Sequence, residues 1–456
     1  MKFAVKSLLS VAVSLAVFNP FVAHADGLRA KDTFAVIWER LQNSGFKGKQ
    51  EDLDWAALKA KHQPEIEGAK DMAALRKEIN DLLQDLQASH LVLIPAEAMP
   101  QPGKAAAIGN GEVGLRLTLI DGKLFVEQVI DGFPAQRAGI RPGWQVESIG
   151  DFDAISALSA LAKASPEAVR RGATYLQLHA NDLVDQVQPG AEVALQLRDL
   201  TGTARKVSLA ATANPQVQAM TLPGLPPMPL RFSQRVMPTA DGGCVLYVEF
   251  NQWAMPVYDQ LVEALRQHGG CRGVVMDLRG NSGGLMAAMS AVGGLFFDKT
   301  VSLGTLSTSG GDLKLTALPR QVTDDGRDVR RFSGPLAILT DRASVSCSDM
   351  FPAGLQALDR ARIFGDTSAG MALPAGVSPL PSGDRLMYPI ADFTDPDGRR
   401  IEGVGVIPDT FSAPTADALR AGRDPAMQAA VAWIAVAAPA AGAVQSASPS
   451  TTVHTE

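Results

Sequence analysis

The stretch DRASVSCSDM at 341–350 places three hydroxyls on alternate positions, Ser344, Ser346 and Ser348, directly before an acid. A serine attacks a carbonyl only when a neighbouring base takes its proton. A lysine after this stretch is excluded as the base, because the sequence has no lysine beyond Lys314. Taken alone, such serines are more typical of helix N-caps and turns. A nucleophile here therefore requires a base from elsewhere in the chain.

Histidine supplies the remaining candidates, because an imidazole with a pKa near 6.5 accepts a proton at neutral pH. Two of the six histidines lie in the terminal segments described below. The other four stand in the body of the chain, at His62, His90, His179 and His268. A histidine base predicts an acidic limb of the pH–activity profile at roughly 6–7.

A glycine turn supplies a candidate oxyanion site. The run VVMDLRGNSGG at 274–284 is an apolar strand that leads into Gly283 and Gly284. Because glycine lacks a Cβ, its backbone can turn an N–H into a cleft, where it stabilises an oxyanion. The pattern also fits an ordinary strand-to-helix turn, so this run decides nothing alone.

Three stretches of different pattern must position these residues. Residues 28–87 carry apolar side chains at helical spacing and lead into the short strand LVLIP. Residues 114–209 alternate as short strands with glycine and proline turns, around a helical insert at 154–187. Beyond Leu230, the strands CVLYVEF, GVVMDL, LAILT and ARIFG alternate with amphipathic runs, which predicts an α/β sheet.

The composition bounds the class of protein. The 456 residues are 46% hydrophobic and 20% charged, with a net charge of −6. This length predicts two or three domains, and the acidic balance argues against a nucleic-acid partner. Cys244 and Cys271 open two strands that could be neighbours, so they form either a disulfide or two buried thiols.

The first 25 residues have the pattern of a secretory signal. Two lysines precede the apolar run LLSVAVSLAVF, and the tripeptide AHA follows before the first acid. We expect a signal peptide at 1–25 and a periplasmic or secreted protein with no integral membrane span, since the run is too short to cross a bilayer. The Ala/Ser/Pro/Thr-rich residues 437–456 are expected to be disordered.

The order of these pieces carries a resemblance. LQASH, the glycine-punctuated β module, VVMDLRGNSGG, SVSCSD, GDTSAGM and IEGVGVIPD together resemble the carboxyl-terminal processing (tail-specific) protease family of serine peptidases, the S41 type. The resemblance implies an N-terminal helical segment, an inserted PDZ-like β module and an α/β catalytic core of ClpP/crotonase-like fold. The implied boundaries are 26–107 for the helical segment, 108–212 for the PDZ-like module, 213–230 for a linker and 231–436 for the core.

The resemblance assigns the nucleophile to Ser346, the middle serine of an S-x-S-x-S-[ED] pattern. Many members pair that serine with a lysine in a following loop, but Met371 stands at this position in GDTSAGM. A thioether cannot accept a proton, so a Ser-Lys dyad is excluded. The oxyanion donors are expected to be the N–H groups of Gly284 and Cys347.

The chain instead resembles the His-dependent, tricorn-like branch of the family, which takes its base from the N-terminal segment. The pair Ser89-His90 matches that motif, and Glu402 in IEGVGVIPD matches the acid. The resemblance therefore implies His90 as the base and Glu402 as the carboxylate that orients the imidazole through Ser89.

The β module carries a further expectation. The run GLRL, comprising Gly114, Leu115, Arg116 and Leu117, stands where PDZ-like domains grip the terminal carboxylate of a peptide that adds as a strand to the sheet edge. The insert at 154–187 departs from this pattern and leaves the shape of the groove open. A module that only packs against the core is the alternative.

Two functions of different classes follow. The first is an exported serine endopeptidase that cleaves unstructured polypeptides through an acyl-enzyme, with a polypeptide C-terminal end as its partner and with no cofactor or metal. The second is a catalytically inactive peptide-binding or scaffold protein on the same fold, which the missing lysine favours. The presence of Ser89, His90 and Glu402 together argues for the first.

Overall fold

The computed structural model describes residues 28–44, 53–100, 108–222, 224–239 and 242–437. The predicted signal peptide and residues 438–456 of the predicted tail lie outside the described residues. None of the helices within these ranges combines the length and the apolar character needed to cross a bilayer.

The N-terminal segment is mainly helical and packs against the part of the core that contains Leu386. It contains α1 (Ala30–Gln42), α2 (Trp55–Glu67), α3 (Met72–Asp85) and β1 (Val92–Ile94). Asp54 and Asp71 start α2 and α3 by accepting the N–H groups of Ala57 and Ala74. The apolar faces of these helices share one cluster with Leu386 of the core, and β1 pairs antiparallel with the strand that contains Leu386. The segment thus extends the core instead of folding apart from it.

The β module follows, and we use this name for residues 108–213. Its elements are β2 (Gly111–Glu112), β3 (Leu115–Ile120), β4 (Lys123–Val129), α4 (Pro134–Arg137), β5 (Gln145–Ile149), β6 (Phe152–Asp153), α5 (Ala154–Leu161), α6 (Pro166–Asp185), β7 (Glu192–Arg198), β8 (Ala204–Ala210) and β9 (Thr212–Ala213). The sheet order is β3-β4-β5-β7-β8, so β3 lies at an edge. Helix α6 occupies the predicted insert and packs against β3.

The core begins with the hairpin β10 (Gln218–Met220) and β11 (Met228–Leu230) and contains the larger sheet. Its further elements are β12 (Phe232–Pro238), β13 (Cys244–Phe250), α7 (Met255–His268), β14 (Gly273–Asp277), α8 (Met286–Gly293), β15 (Val301–Thr308), β16 (Gly311–Ala317), β17 (Leu336–Thr340), α9 (Cys347–Ala357), β18 (Arg362–Gly365), β19 (Ala375–Pro379), β20 (Arg385–Pro389), β21 (Asp392–Thr394), β22 (Thr410–Phe411), α10 (Ala416–Arg420) and α11 (Pro425–Ala437).

The large sheet is covered by helices on both faces. Its order is β12-β13-β14-β17-β18-β22, and the strands from β13 to β22 run parallel. Leu246 and Val248 of β13 face α7, α8 and α9, whereas Val245 and Tyr247 face α11. Burial on both sides explains the unbroken apolar runs in these strands. The predicted mixture of helix and sheet is confirmed, and the PDZ-like and ClpP/crotonase-like assignments stay predictions.

The parallel register brings the two chemistry-bearing loops to one edge. Strand β14 ends at Asp277, opposite Leu339 near the end of β17. The glycine turn that follows β14 and the serine loop that follows β17 therefore both emerge at the carboxyl ends of adjacent strands, where open α/β sheets place their sites.

A disulfide lies at the opposite ends of these strands. The sequence had left open whether its two cysteines are bonded. Cys244 and Cys271 are bonded, with their Cα atoms 4.7 Å apart, at the amino ends of β13 and β14. The third cysteine, Cys347, is a free and buried thiol.

Candidate active site

Ser346 differs from its two serine neighbours in exposure and in backbone conformation. Ser344 and Ser348 are fully buried, whereas Ser346 reaches solvent in part. The hydroxyl of Ser344 donates to the carbonyl of Leu278 at 2.8 Å, and that of Ser348 accepts the indole N–H of Trp253 at 2.9 Å. Both outer serines are thus engaged in structural contacts, and Ser346 alone of the three is available for chemistry.

The backbone of Ser346 is strained. As the N-cap of α9 it has φ 60° and ψ −116°, a region that non-glycine residues rarely adopt. Such a strand-to-helix turn presents a side chain outwards at the head of a sheet, and backbone strain of this kind clusters at functional sites.

Asp349 holds Ser346 in this conformation. One carboxylate oxygen accepts the N–H of Ser346 at 3.0 Å and that of Met371 at 3.1 Å. The other oxygen accepts the N–H of Gly370 at 2.8 Å and the hydroxyl of Ser368. Burial raises the pKa of Asp349 to about 6. The sequence pattern contained this acid, and its spacing three residues after an N-cap serine is the signal that could have identified its role.

The glycine turn approaches the serine loop closely. A Cβ on Gly283 would lie 2.5 Å from Cβ of Ser346, and one on Gly284 would lie 2.4 Å from the carbonyl oxygen of Trp253. With φ of 96° and 141°, both positions require glycine. Among the described residues, neither the N–H of Gly284 nor that of Cys347 donates to another residue. The two expected oxyanion donors therefore remain available.

Ser89 joins the predicted base to the predicted acid. Its hydroxyl donates to Oε2 of Glu402 at 3.0 Å and lies 2.9 Å from Nδ1 of His90. Because the single hydroxyl proton points at Glu402, Ser89 Oγ accepts from His90, which places the imidazole proton on Nδ1. Nε2 is then left with a lone pair, as a general base requires.

Burial sets the charge states of His90 and Glu402. It lowers the pKa of His90 to about 4, so the imidazole is neutral at neutral pH. It raises the pKa of Glu402 to about 7, against the opposing hydrogen bonds from the N–H of Ala372 and the hydroxyl of Ser89. The acidic limb expected at roughly 6–7 from an unperturbed imidazole is therefore wrong for His90, because burial disfavours its charged form.

One short segment links the two halves of the site. This segment contains Met371 and Ala372. The carbonyl of Met371 accepts the N–H of Ser346 at 2.9 Å, and the N–H of Ala372 donates to Glu402 at 2.7 Å. No hydrogen bond joins His90 directly to Ser346 within the described part of the chain. Catalytic hydrogen bonds are often long before substrate binds, so this geometry does not disqualify the base.

The competing histidines have other partners. His62 lies 2.7 Å from Asp85 in the N-terminal helices, and His179 packs edge-on against Phe152 in the β module. His268 ends α7, at the disulfide end of the core. Met371 is buried against Val345, so no proton acceptor occupies the position of the family lysine.

The predicted peptide-binding run lies at the β3 edge, where helix α6 already contacts the strand. The side-chain amide of Asn181 both donates to the carbonyl and accepts from the N–H of Leu117, each at 2.9 Å. Gly114 accepts the N–H of Ile130, and the guanidinium of Arg116 lies 3.7 Å from carboxylates of Glu112 and Asp185. The role of Gly114, Leu115, Arg116 and Leu117 in binding a peptide stays a prediction.

A cavity of about 790 Å³ separates the β module from the core, and neither Ser346 nor His90 lines it. Arg279 projects into it and pairs with Asp277 at 2.6 Å and Asp424 at 2.8 Å. Its third partner is Glu127 of β4, at 3.4 Å. These ion pairs tie the module to the core. In the described ranges, no group of three or more His, Cys, Asp or Glu side chains is arranged to hold a metal ion.

Comparison with known proteins shows that residues 244–411 match the model of peptidase family S41. The matched region contains the glycine turn, Ser346 and Glu402, but it does not contain Ser89, His90 or the β module. The assignment of the base therefore rests on the contacts of Ser89.

Curated proteins are similar to this chain in sequence. The carboxyl-terminal-processing protease of Synechocystis sp. is 23% identical over 316 residues, which cover 68% of this chain and 65% of that protein. This chain covers less than two thirds of the curated relatives it matches first.

Solved structures share the fold. The photosystem II D1 C-terminal processing protease has a TM-score of 0.54 at 20% identity, covering 86% of this chain and 94% of that one. Mature CPAF complexed with lactacystin has a TM-score of 0.56 at 13% identity, covering 90% of this chain and 98% of that one.

Proposed function

We propose that this protein is an exported S41 serine endopeptidase of the carboxyl-terminal processing type, which cleaves unstructured polypeptides through an acyl-enzyme. The observation that carries the proposal is the hydrogen-bonded link from Glu402 through Ser89 to His90. A candidate nucleophile, a histidine oriented by this link and two backbone N–H groups that donate to no other described residue are the parts that acyl transfer needs.

In the proposed reaction, Oγ of Ser346 attacks the scissile carbonyl while Nε2 of His90 takes its proton. The carbonyl oxygen becomes an oxyanion that accepts the N–H groups of Gly284 and Cys347. The imidazolium donates through Nδ1 to Ser89, and Glu402 stabilises its positive charge. His90 then gives the proton to the leaving amine, and the peptide bond breaks to leave an ester on Ser346.

Water completes the cycle in the same way. His90 takes a proton from the water that attacks the ester, and a second oxyanion forms at the same two N–H groups. Its collapse returns the proton to Ser346 and releases the new carboxyl terminus. The protonated thiol of Cys347 does not compete as a nucleophile, because burial raises its pKa to about 12.

Export is part of the proposal. It is supported by the signal-like pattern of residues 1–25 and by the bond between Cys244 and Cys271, since disulfides persist mainly in oxidising compartments. Expression in bacteria of the full chain, followed by fractionation and N-terminal sequencing, tests it. Processing before Asp26 is expected, and a protein retaining Met1 in the cytosol would contradict it.

The second candidate is an inactive peptide-binding protein, which the methionine at position 371 favours. A cleavage assay separates the two. Purified protein is incubated with a reduced and carboxymethylated polypeptide, and the products are identified by mass spectrometry, with Ser346→Ala as the matched control. We expect cleavage that the substitution abolishes. An unchanged substrate in both samples would favour the scaffold function.

A further inference from the structure

Gln177 of α6 uses both ends of its side chain to connect the β module to the core. Its Oε1 accepts the N–H of Leu119 in the edge strand β3 at 3.1 Å. Its Nε2 donates to Oδ2 of Asp341, in the loop before Ser346, at 2.7 Å. Both Gln177 and Asp341 are buried, with exposed fractions of 1% and 6%. A buried amide held at both ends fixes the distance between the elements that it joins.

Asp341 in turn holds the two loops of the candidate active site together. Its Oδ1 accepts the N–H of Gly280, at the start of the glycine turn, and the N–H of Ala343, each at 3.0 Å. The hydroxyl of Ser344 lies 3.2 Å from the same oxygen. One carboxylate therefore sets the separation between the turn that supplies Gly284 and the loop that supplies Ser346.

Helix α6 is held in place by contacts with both the β module and the core. Its apolar side chains lie in the core of the β module, at Ala173, Leu176, Ala180 and Val184. On the other side, Thr174 donates to the carbonyl of Arg342 at 2.8 Å, and Arg170 donates to the carbonyl of Ala369. Three contacts from one helix thus reach the loops that surround Ser346.

We propose that Gln177 is a positioning residue, which sets the glycine turn against the nucleophile loop by clamping Asp341 to the β3 edge. The proposal rests on the proposed function, since it concerns the reaction at Ser346. It also assigns α6 as the element that covers that edge, because Asn181 binds the N–H and carbonyl of Leu117 and Gln177 binds the N–H of Leu119, which an added strand would need. The module then acts on the active site through α6.

The first test is the isosteric change Gln177→Glu, which keeps the acceptor for Leu119 and replaces the donor with a carboxylate facing Asp341. Two carboxylates at this distance share one proton at low pH and repel when both ionise. The groups facing the pair are Arg279, Glu127 and the N–H donors of Gly280 and Ala343. We expect the ratio of variant to wild-type kcat to stay near one at pH 5 and to fall about tenfold or more by pH 8, with KM little changed.

Gln177→Leu removes both bonds, so its kcat should be about tenfold lower at every pH. The matched controls are Gln186→Glu and Gln186→Leu at the end of the same helix, because the side chain of Gln186 donates to Asp182 of that helix and to no other residue in the described ranges. The controls should leave kcat and its pH profile unchanged. A Gln177→Glu ratio that does not depend on pH would overturn the proposal.

A second measurement does not require activity. Hydrogen exchange followed by mass spectrometry reports the N–H groups of Gly280 and Ala343, and Gln177→Leu should raise their exchange about tenfold or more, whereas Gln186→Leu should not. Increased exchange in a protein that hydrolyses nothing would refute the proposed function and leave the clamp intact. Unchanged exchange would refute the clamp even in an active enzyme.

Discussion

The hydroxyl of Ser89 donates a hydrogen bond of 3.0 Å to Glu402 across 313 positions of the sequence. This bond brings the end of the N-terminal helical segment onto the α/β core. It also fixes the tautomer of His90, since Ser89 can accept only from Nδ1 once its own proton is given to Glu402. The base of the proposed reaction is thus oriented by residues from both ends of the described chain.

The effects on kcat of removing the base and of removing the nucleophile should not be additive. His90→Ala and Ser346→Ala are each expected to lower kcat by about 10²–10⁴-fold, and the double variant should be no worse than Ser346→Ala, because the two groups act as one unit. Glu402→Gln should cost less than either, since Glu402 orients and stabilises but does not carry the proton. Steady-state kinetics on a polypeptide substrate measures this. Full activity in His90→Ala would move the base to His62, His179 or His268.

The pH profile should show two ascending steps. Below pH about 4, His90 becomes protonated and cannot act as base, because burial lowers its pKa to about that value. Burial raises the pKa of Glu402 to about 7, so kcat should rise again as this carboxyl ionises and stabilises the imidazolium. Measurement of kcat from about pH 3 to 9 at constant ionic strength tests both steps. Glu402→Gln should lack the upper step, and its persistence in that variant would assign it to another group.

Asp349 is expected to matter for both stability and activity. In Asp349→Asn, either orientation of the new amide points an NH₂ group at backbone N–H donors, because both carboxylate oxygens accept such donors. Leaving these groups unsatisfied should lower the free energy of unfolding by about 2–4 kcal/mol. Denaturant unfolding and kinetics measure the two effects. The control Asp359→Asn changes an exposed acid, and equal behaviour of the two variants would contradict this role.

The disulfide should stabilise the core without taking part in the reaction. Its closure of a 27-residue separation is worth about 3 kcal/mol in the free energy of unfolding. Cys244→Ser combined with Cys271→Ser should therefore unfold at lower denaturant while retaining kcat, because the bond and Ser346 lie at opposite ends of the parallel strands. Loss of activity in a variant that remains folded would contradict this separation.

Sequence reasoning predicted the parts of the candidate site that depend on residue type and order. The middle serine, the Ser89-His90 pair and Glu402 were predicted because each sits in a short pattern, and the structure brings Ser89, His90 and Glu402 into contact. The lysine was excluded by its absence from the sequence after position 314.

What sequence reasoning missed depends on burial and on contacts across the fold. The pKa of His90 could not be foreseen, because enclosure by other segments lowers it. The engagement of β3 by α6 could not be foreseen either, since a helical insert has no sequence signal for the strand that it covers. In the sequence, Asn181 and Gln177 are polar residues of a helix with no mark of their partners. The fold places them opposite Leu117 and Leu119.

The most direct test of the central claim is labelling of the purified protein with a fluorophosphonate probe, which bonds only to an activated serine. Digestion and mass spectrometry locate the modified residue. We expect the label on Ser346 in the wild-type protein, none in Ser346→Ala, and strongly slowed labelling in His90→Ala, with His268→Ala as a control that labels at the wild-type rate. A wild-type protein that stays unlabelled, or a label that persists in Ser346→Ala, would contradict the account.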